Sequence, residues 1–435
     1  MFEQLLLTNC YQYYLSKYAI YDKMYGYYKG NTDATRDYKK VDNQSNNKIN
    51  TNFIKKFVKE ETSYSVGNKL TYTSKTSNKK IIDDIQYNTS HWKENHDSDL
   101  MKCTLIHGIA YELYYTDNEN QFCSRIISPR AGFALVDDYG TIVLFMNMFK
   151  LAFDETLYID VWDNDKVSHY TDGFVPRIDH PIDTHIFGCV PVGISQISEE
   201  LEEDTLYKDI KALQDSYETN LSDISNEISD FRAAYLAFTG VNIEETDLPK
   251  MKEQGIIAIP VPDGKVEWII KNINDSFIQN TLNTIEDKMY QLSSHINNNE
   301  AMQSNTSSLA IRARLISLEQ KCKLNDGAID DCIKKRLKML FIYLKYLKSL
   351  DYDYKDIKIK HTPAVPADDT ANANIVSQLG DRLSNKTAWS LFSFITNPDN
   401  EEKLLELQNK AASIGNDLLN PPIVPIAPTN TVVTK

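Results

Sequence analysis

No run of about 18 uninterrupted apolar residues occurs anywhere in the 435-residue chain, so nothing in it is built to cross a bilayer as a helix. A secretory leader is also lacking. Met1 to Leu7 carries an early acid at Glu3, no basic stretch and an apolar run of only three, so a soluble, cytoplasmic chain is expected. The six cysteines (Cys10, Cys103, Cys123, Cys189, Cys322, Cys332) form no CxxC pair, and their spread fits neither a zinc knuckle nor a disulfide framework. They read as reduced, buried, small apolar residues. Positive charge is short as well: 47 Lys and Arg stand against 61 Asp and Glu, a formal net charge of −14. Proteins that grip DNA by displacing counterions from phosphates are usually basic, so tight DNA binding is not expected.

The motifs of common chemistry are missing too. There is no GxxxxGK[ST] to hold a triphosphate, and no GxGxxG, GxSxG or HExxH. The eight histidines are scattered, and none stands beside a Cys or Ser in a nucleophile arrangement. Two aspartate groups have the composition of metal ligands, Asp160/Asp163/Asp165 and Asp351/Asp353/Asp356. Both read better as turns, the first at a strand end and the second alternating with tyrosines after a helix. No catalytic residue, cofactor or metal ligand can be named, and an enzyme is not expected.

What the chain does have is periodicity. Tyr11, Tyr14, Tyr18, Tyr21, Tyr25 and Tyr28 recur every three or four residues, which predicts an amphipathic helix rather than a stacking surface for single-stranded nucleic acid. Residues 31–50 are polar and read as a loop. Phe53, Ile54, Phe57 and Val58 predict a second helix that Gly67 ends, followed by a short strand at Lys69–Thr73. From Cys103 to Val192, short runs rich in aromatic and β-branched residues alternate with Asp/Asn/Gly turns. Strands are expected at Ile109–Tyr115, Ser124–Ile127, Gly132–Val136, Thr141–Met146 and Leu157–Val161, in a small mixed α+β domain.

After Pro191 the character changes. Residues 199–230 hold eleven acids against two lysines, Lys208 and Lys211. Leu206, Ile210, Leu213, Tyr217, Leu221, Ile224, Ile228, Phe231 and Tyr235 run through them as one apolar seam, predicting a helix of roughly 30 residues, about 45 Å long. Each seam residue gains on the order of 1.5–3 kcal/mol on full burial, well above the worth of exposed charge pairs, so the helix must pack along most of its length. Ile278, Leu282, Ile285, Met289, Leu292 and Ile296 give a second long helix, capped by Asp275 or Ser276. Between the two lies a β module, with Ile256–Val261 and Val266–Lys271 flanking Pro262-Asp263-Gly264 as a hairpin. A polar segment, Asn297–Ser308, leads to a third long helix from Leu309 to about Leu350, with Gly327 a place for a kink. Beyond Pro363 and Pro366 three short helices are expected, Asp368–Arg382, Asn385–Thr396 and Pro398–Ser413, and then a mobile Pro-rich tail.

Several stretches, in order, resemble the phage portal family of tailed bacteriophages, in the branch typical of phages of Gram-positive hosts. Asn52–Val58 and Tyr64–Asn68 match the family's early helix and the strand after it, although Lys69 stands where proline is common. Phe187-Gly188-Cys189-Val190-Pro191-Val192 is similar to the strand that precedes the acidic helix. Tyr207–Tyr217, through Ser229-Asp230-Phe231, resembles that helix itself. Asn305–Ile311 and Leu315–Lys321 resemble the start of the long helix, with Ser308 in place of the usual glycine. No single motif carries the likeness; order and spacing over residues 50–412 do.

The resemblance implies an α+β subunit: an α/β wing (1–204, with the long helix and its return at 309–362), stem helices at 205–234 and 275–297, and a small β clip at 235–274. It also implies a tunnel loop at 298–308, a helical crown at 363–413 and a flexible tail at 414–435. Asn298, Asn299, Glu300, Gln303, Ser304 and Asn305 would then face a DNA channel. Ile257, Ile259, Asp263, Gly264, Val266 and Trp268 of hairpin 256–271 would dock partners, and Leu206, Ile210, Leu213, Tyr217, Leu221, Ile224, Leu282, Ile285 and Met289 would pack the stem. The family assembles as a ring, usually of twelve copies, at one capsid vertex. Implied partners are double-stranded DNA passing non-specifically, the terminase large subunit, head-completion or tail adaptor proteins, and the major capsid and scaffolding proteins. The place is the virion, with assembly in the host cytoplasm. From the residues alone, a cytoplasmic helical scaffold or adaptor without a DNA role explains the long acidic helices equally well, but not the interposed β module or the polar loop. A metal nuclease using the aspartate groups is the poorest of the three.

Overall fold

The structure, a computed structural model, describes residues 4–39, 45–201, 203–231, 235–239, 265–269, 275–297, 308–363, 369–392, 395 and 398–419. It is a mixed helix-and-sheet protein that divides into two compact units, 1–364 and 365–435. The helices of unit 1 are α1 (Gln4–Lys29), α2 (Asp33–Arg36), α3 (Phe53–Val66), α4 (Lys79–Thr89), α5 (His96–His107), α6 (Leu206–Phe231), α7 (Asp275–Leu292) and α8 (Ser308–Lys348). Its strands are β1 (Thr71–Ser74), β2 (Ile109–Thr116), β3 (Phe122–Ile127), β4 (Gly132–Val136), β5 (Ile142–Phe149), β6 (Tyr158–Trp162), β7 (Lys166–Thr171), β8 (Val175–Pro176), β9 (Ile182–Thr184), β10 (Val192–Gln196), β11 (Tyr235–Thr239), β12 (Lys265–Ile269) and β13 (Ile357–Lys360).

The tyrosine-rich stripe folds as the helix its spacing demands, and it serves two cores in succession. Leu7, Cys10 and Tyr14 pack with Leu144, Met146, Met148, Ile159 and Val161 on one face of a six-stranded antiparallel sheet. That sheet runs β4-β5-β6-β7-β8, with β9 paired to the other end of the β7 edge. Two helical turns further on, Tyr21, Met24 and Tyr27 enter the main core. Strand β5 performs the same sorting with a period of two, since Leu144, Met146 and Met148 face the first core while Phe145 reaches the second.

The main core lies between α3, α5, the three-stranded sheet β10-β2-β3 and α8. Cys322, Ile329, Cys332, Ile333, Leu337, Leu340 and Leu344 of α8 are all inaccessible or nearly so. Helix α8 crosses β10 so closely that a Cβ on Gly193 would sit 2.6 Å from the Tyr114 hydroxyl and 2.7 Å from the Cys332 sulfur. Only glycine admits that approach. One charged pair is sealed inside this core. Glu112 on β2 receives Arg336 of α8 through Nε at 2.9 Å and Nη2 at 3.1 Å, along with His96, Ser124 and Tyr114. Burial alone would raise the Glu112 pKa, but Arg336 and His96 hold it well below the usual carboxylate range.

Several sequence expectations need correction. Within 31–50, Thr32 caps a short helix, α2. Tyr235 opens strand β11 instead of closing the apolar seam, because a four-residue step from Phe231 fits both periods and the strand partner decides. Ile296 lies past the end of α7: the Ser294 backbone turns left-handed (φ 61°) and the His295 N–H donates to the Tyr290 carbonyl at 2.9 Å, closing the helix. Helix α8 runs unbroken through Gly327. The strands β7, β8 and β9 and the helices α4 and α5 emerge only in the structure. The six cysteines are unpaired, and three of them are buried.

Unit 2 holds α9 (Asp369–Leu379), α10 (Asn385–Trp389) and α11 (Pro398–Leu419). Ser384 caps α10 as expected, through the Thr387 N–H. The helix expected at Asn385–Thr396 ends at Trp389, while α11 continues beyond Ser413 to Leu419. Among the described residues no helix is long and apolar enough to cross a membrane.

Candidate functional site

The acidic helix α6 and its neighbour α7 are the elements from which a function has to be built. Leu206 and Ile210 are buried in the main core, and Leu213 and Tyr217 pack against it half-buried. Leu282 and Met289 of α7 are buried, Ile285 is half-buried, and Leu221 and Ile224 are half-buried higher on α6. Tyr217 donates to Glu286 across the pair at 3.3 Å, and burial beside that carboxylate pushes its pKa up to about 12. Further along α6 the seam comes into the open, with Ile228 59% exposed, while Ile278 at the start of α7 is half-buried.

A second buried stripe on α6 is polar. Gln214, Glu218, Ser222 and Asn226 recur every four residues and are all buried. They accept the backbone N–H groups of a segment laid along the helix: Asn47 to Asn226 at 2.5 Å, Ile49 to Ser222 at 2.9 Å, Thr51 to Glu218 at 3.0 Å and Ile54 to Gln214 at 3.2 Å. The register has a simple cause. Two residues of extended chain advance about 6.6 Å and four residues of helix about 6.0 Å, so the alternate N–H groups of Asn47, Ile49 and Thr51 meet successive turns, and the first turn of α3 supplies the fourth, from Ile54. Glu218, with no exposed surface, also receives the Thr32 hydroxyl at 2.5 Å.

Other acids of α6 are engaged as well. Asp215 accepts from Tyr27 at 2.8 Å and pairs with Lys211 at 2.7 Å, and Lys211 also reaches Asp33 at 2.9 Å. Burial works against the Lys211 charge, but these carboxylates hold its pKa above the usual lysine value. Asp223 accepts the Tyr38 hydroxyl at 2.5 Å. The acidity of α6 is therefore partly used inside the subunit, in anchoring Tyr27, Thr32, Tyr38 and residues 50–52. Sequence reasoning missed this strap; the fourfold spacing of Gln214, Glu218, Ser222 and Asn226 was the signal for it.

Where the chain leaves α7 for 298–307, the last described turn is clamped. The His295 ring stacks on Phe57 with centroids 4.2 Å apart, and its Nδ1–H donates to the Ser293 carbonyl at 2.7 Å. Lys321 of α8 reaches that same carbonyl at 3.2 Å and the Glu61 carboxylate at 3.2 Å. Burial, and then the Lys321 charge, push the His295 pKa down to about 3. Burial pushes the Glu61 carboxyl up.

The expected tunnel-loop residues Asn298, Asn299, Glu300, Gln303, Ser304 and Asn305 lie outside the described residues, as do Ile257, Ile259, Asp263 and Gly264 of the clip hairpin. Val266 and Trp268 stand on β12, antiparallel to β11 and opposite Phe238 and Leu236. The described partner of this strand is thus 235–239, and the 256–261 arm lies outside the described residues. Of the two aspartate groups, Asp160 lies within β6 beside His169 at 2.6 Å, whereas Asp163 and Asp353 make turns. Asp163 accepts the Asp165 and Lys166 N–H groups at 2.9 and 2.8 Å, and Asp353 caps the turn into β13 through the Lys355 N–H at 2.9 Å.

Residues 7–414 match the family model described as phage portal protein, SPP1 Gp6-like. The chain belongs to that family. Membership makes it a phage portal protein, a structural protein of the virion. No curated protein sequence matches it significantly. Among solved structures it is similar to a chain in the neck of an empty gene transfer agent (GTA) particle computed with C6 symmetry, with a TM-score of 0.47, 11% identity, and coverage of 77% of this chain and 87% of that one. A chain in the virion of a native gene transfer agent particle gives a TM-score of 0.46, again with 11% identity over 77% of this chain and 87% of that one.

Proposed function

We propose that this portal-family chain is one subunit of a ring that surrounds double-stranded DNA at a single capsid vertex, and that it serves genome packaging, retention and ejection and joins head to tail. The observation that carries the proposal is the pair α6–α7 with its apolar seam incompletely covered. Ile228, at the far end of the α6 seam, exposes 59% of its surface in a single chain. Such a residue gains on the order of 1.5–3 kcal/mol once covered, and a circle of identical copies supplies the cover laterally.

Electrostatics fit a conduit rather than a clamp. Duplex DNA carries about one charge per 1.7 Å, and a basic wall would hold it by counterion release. With a net charge of −14, the chain lacks that grip. At physiological salt repulsion acts over only about 8 Å, where wall and duplex nearly touch. Because Asp215 and Glu218 are engaged by the strap, any lining charge on α6 falls to its remaining acids. The polar loop 298–308 would meet phosphates through weak, neutral hydrogen bonds without a fixed register.

In this reading the clip, 235–274, docks the terminase large subunit during packaging and head-completion or tail adaptors afterwards, and the wing meets the major capsid and scaffolding proteins. The ring is expected to hold twelve copies. Mass by light scattering on concentrated protein, with negative-stain imaging of the heaviest species, tests it: a closed annulus with an open axis is expected. Only monomers or dimers, both in solution and within particles, would overturn it.

A further inference from the structure

Strands β6, β7 and β9 bring one group of metal-ligating side chains together away from α6 and α7. His169 is the direct cross-strand partner of Asp160, and Asp183 on β9 is registered with Val167, which places it diagonally beside His169 on the same face. His180 approaches from the connection before β9. The ligand atoms of His169, His180 and Asp183 all lie within 4.8 Å of one another, and among the described residues no other such group of three occurs. His180 Nε2 stands 2.7 Å and His169 Nε2 3.2 Å from the same Asp183 oxygen, with the two rings stacked at 5.2 Å.

A second observation points to a ligand. His169 Nδ1 is 2.6 Å from Asp160, so both nitrogens of this mostly buried ring face carboxylates. A neutral imidazole has only one N–H to give. The arrangement is satisfied either by a proton on both nitrogens or by a cation at Nε2, with the Nδ1–H given to Asp160. The latter is the carboxylate–histidine–metal relay, in which the outer carboxylate fixes the tautomer and raises the ligand's basicity.

We propose that His169, His180 and Asp183 form a zinc site, with Asp160 as the orienting carboxylate behind His169. Two imidazoles and one carboxylate are donors for zinc rather than for magnesium or calcium, which take oxygen. Three protein ligands leave a fourth tetrahedral position for water or an incoming group. Zinc–ligand bonds of about 2.0–2.1 Å set tetrahedral donor atoms roughly 3.3 Å apart, so His169 and Asp183 already stand at the required spacing, while His180 has to back away from Asp183 and swing toward His169. The two movable partners are the more exposed ones, His180 (54%) and Asp183 (45%), while His169 (12%) is held in the sheet. Binding would tie the 177–181 connection and β9 to β7 at the edge of the six-stranded sheet. This inference does not rest on the portal reading.

The test uses the full-length, untagged chain stripped with a chelator and then titrated with zinc sulfate against a chromophoric competitor. One zinc per chain with a micromolar or tighter Kd is expected, together with a rise in Tm. His180→Gln, at an exposed position, should fold normally, weaken binding at least tenfold and abolish the Tm rise. Asp160→Asn should weaken binding by about 10–100-fold, the range for outer-sphere partners. Cys123 lies 3.6 Å from His91 Nε2 and is the control, so Cys123→Ser should leave binding unchanged. Absence of zinc from the wild-type chain, unaltered affinity in His180→Gln, or loss confined to Cys123→Ser would overturn the proposal.

Discussion

Glu218, in the middle of the acidic helix α6, has no exposed surface and accepts the backbone N–H of Thr51 at 3.0 Å. A residue that composition assigns to a charged outer wall is thus an internal peg for the N-terminal strap. Glu218→Ala would strand the Thr51 N–H and the Thr32 hydroxyl together and should cost about 3 kcal/mol, since charge-assisted bonds to buried groups are lost as a set. Urea unfolding measures that loss, and trypsin cleavage after Lys48 should accelerate in parallel. An unchanged midpoint would show that the strap contributes nothing to the fold.

Arg336 and Glu112 pose the opposite question, because here both charges are buried. Arg336→Met leaves Glu112 uncompensated in the core and should destabilise the chain by about 3–5 kcal/mol. Glu112→Gln/Arg336→Met should recover part of that loss, because the pair and not either member keeps the core neutral. A double variant less stable than Arg336→Met alone would show that the remaining partners, Asp97 and His96, dominate instead.

His295 gives a pH dependence whose sign follows from its surroundings. Its folded pKa is held near 3 against an ordinary 6.5, so its contribution is complete above about pH 6.5 and is lost as pH falls toward 3. His107, pushed down to about 4 by burial, acts in the same direction. Glu61 is pushed up and acts in the opposite one. The difference between wild type and His295→Gln isolates the His295 share. Their gap in urea midpoint should be widest at pH 7.5 and shrink by a few kcal/mol equivalent by pH 4. A gap independent of pH would mean that the ring is not kept neutral.

What the sequence made legible was whatever periodicity encodes. The tyrosine stripe of α1, the seam of α6, that of α7 as far as Met289 but not the exposed Leu292, the length of α8 and the five strands named from Ile109 to Val161 all rest on apolar residues that return to one face. Contacts chosen by tertiary partners were not legible. Tyr235 looked helical until Ile269 stood opposite it across the strand pair. The strap needed Asn47, Ile49 and Thr51 to find side chains about 170–180 residues away. His169, His180 and Asp183 have no recognisable spacing, because strand register and not sequence proximity unites them.

The exposed end of the α6–α7 seam is where assembly should be most sensitive. Ile228→Ser alters a position mostly open in the single chain, so monomer unfolding should shift by no more than about 0.5 kcal/mol. Ring formation should fall by an order of magnitude or more, since each lost apolar contact recurs at every subunit boundary. Analytical ultracentrifugation across a concentration series separates the two effects. Rings that form as readily as in the wild type would place the lateral contact elsewhere.

The polar segment after α7 allows channel function to be separated from assembly. Its starting point is clamped by His295 against Phe57 and by Lys321 on the Ser293 carbonyl, so changes beyond it need not disturb the fold. Asn298, Asn299 and Gln303 offer neutral donors, which can touch phosphate oxygens and release them without the counterion term that makes lysine contacts persistent. Replacing all three with alanine should leave ring mass and urea midpoint unchanged while lowering the yield of DNA-filled heads. Lysine at the same three positions should act more strongly, because added positive charge would hold the duplex where the wild-type loop lets it slide. Normal DNA-filled heads from both triple variants would remove this segment from any role in the channel.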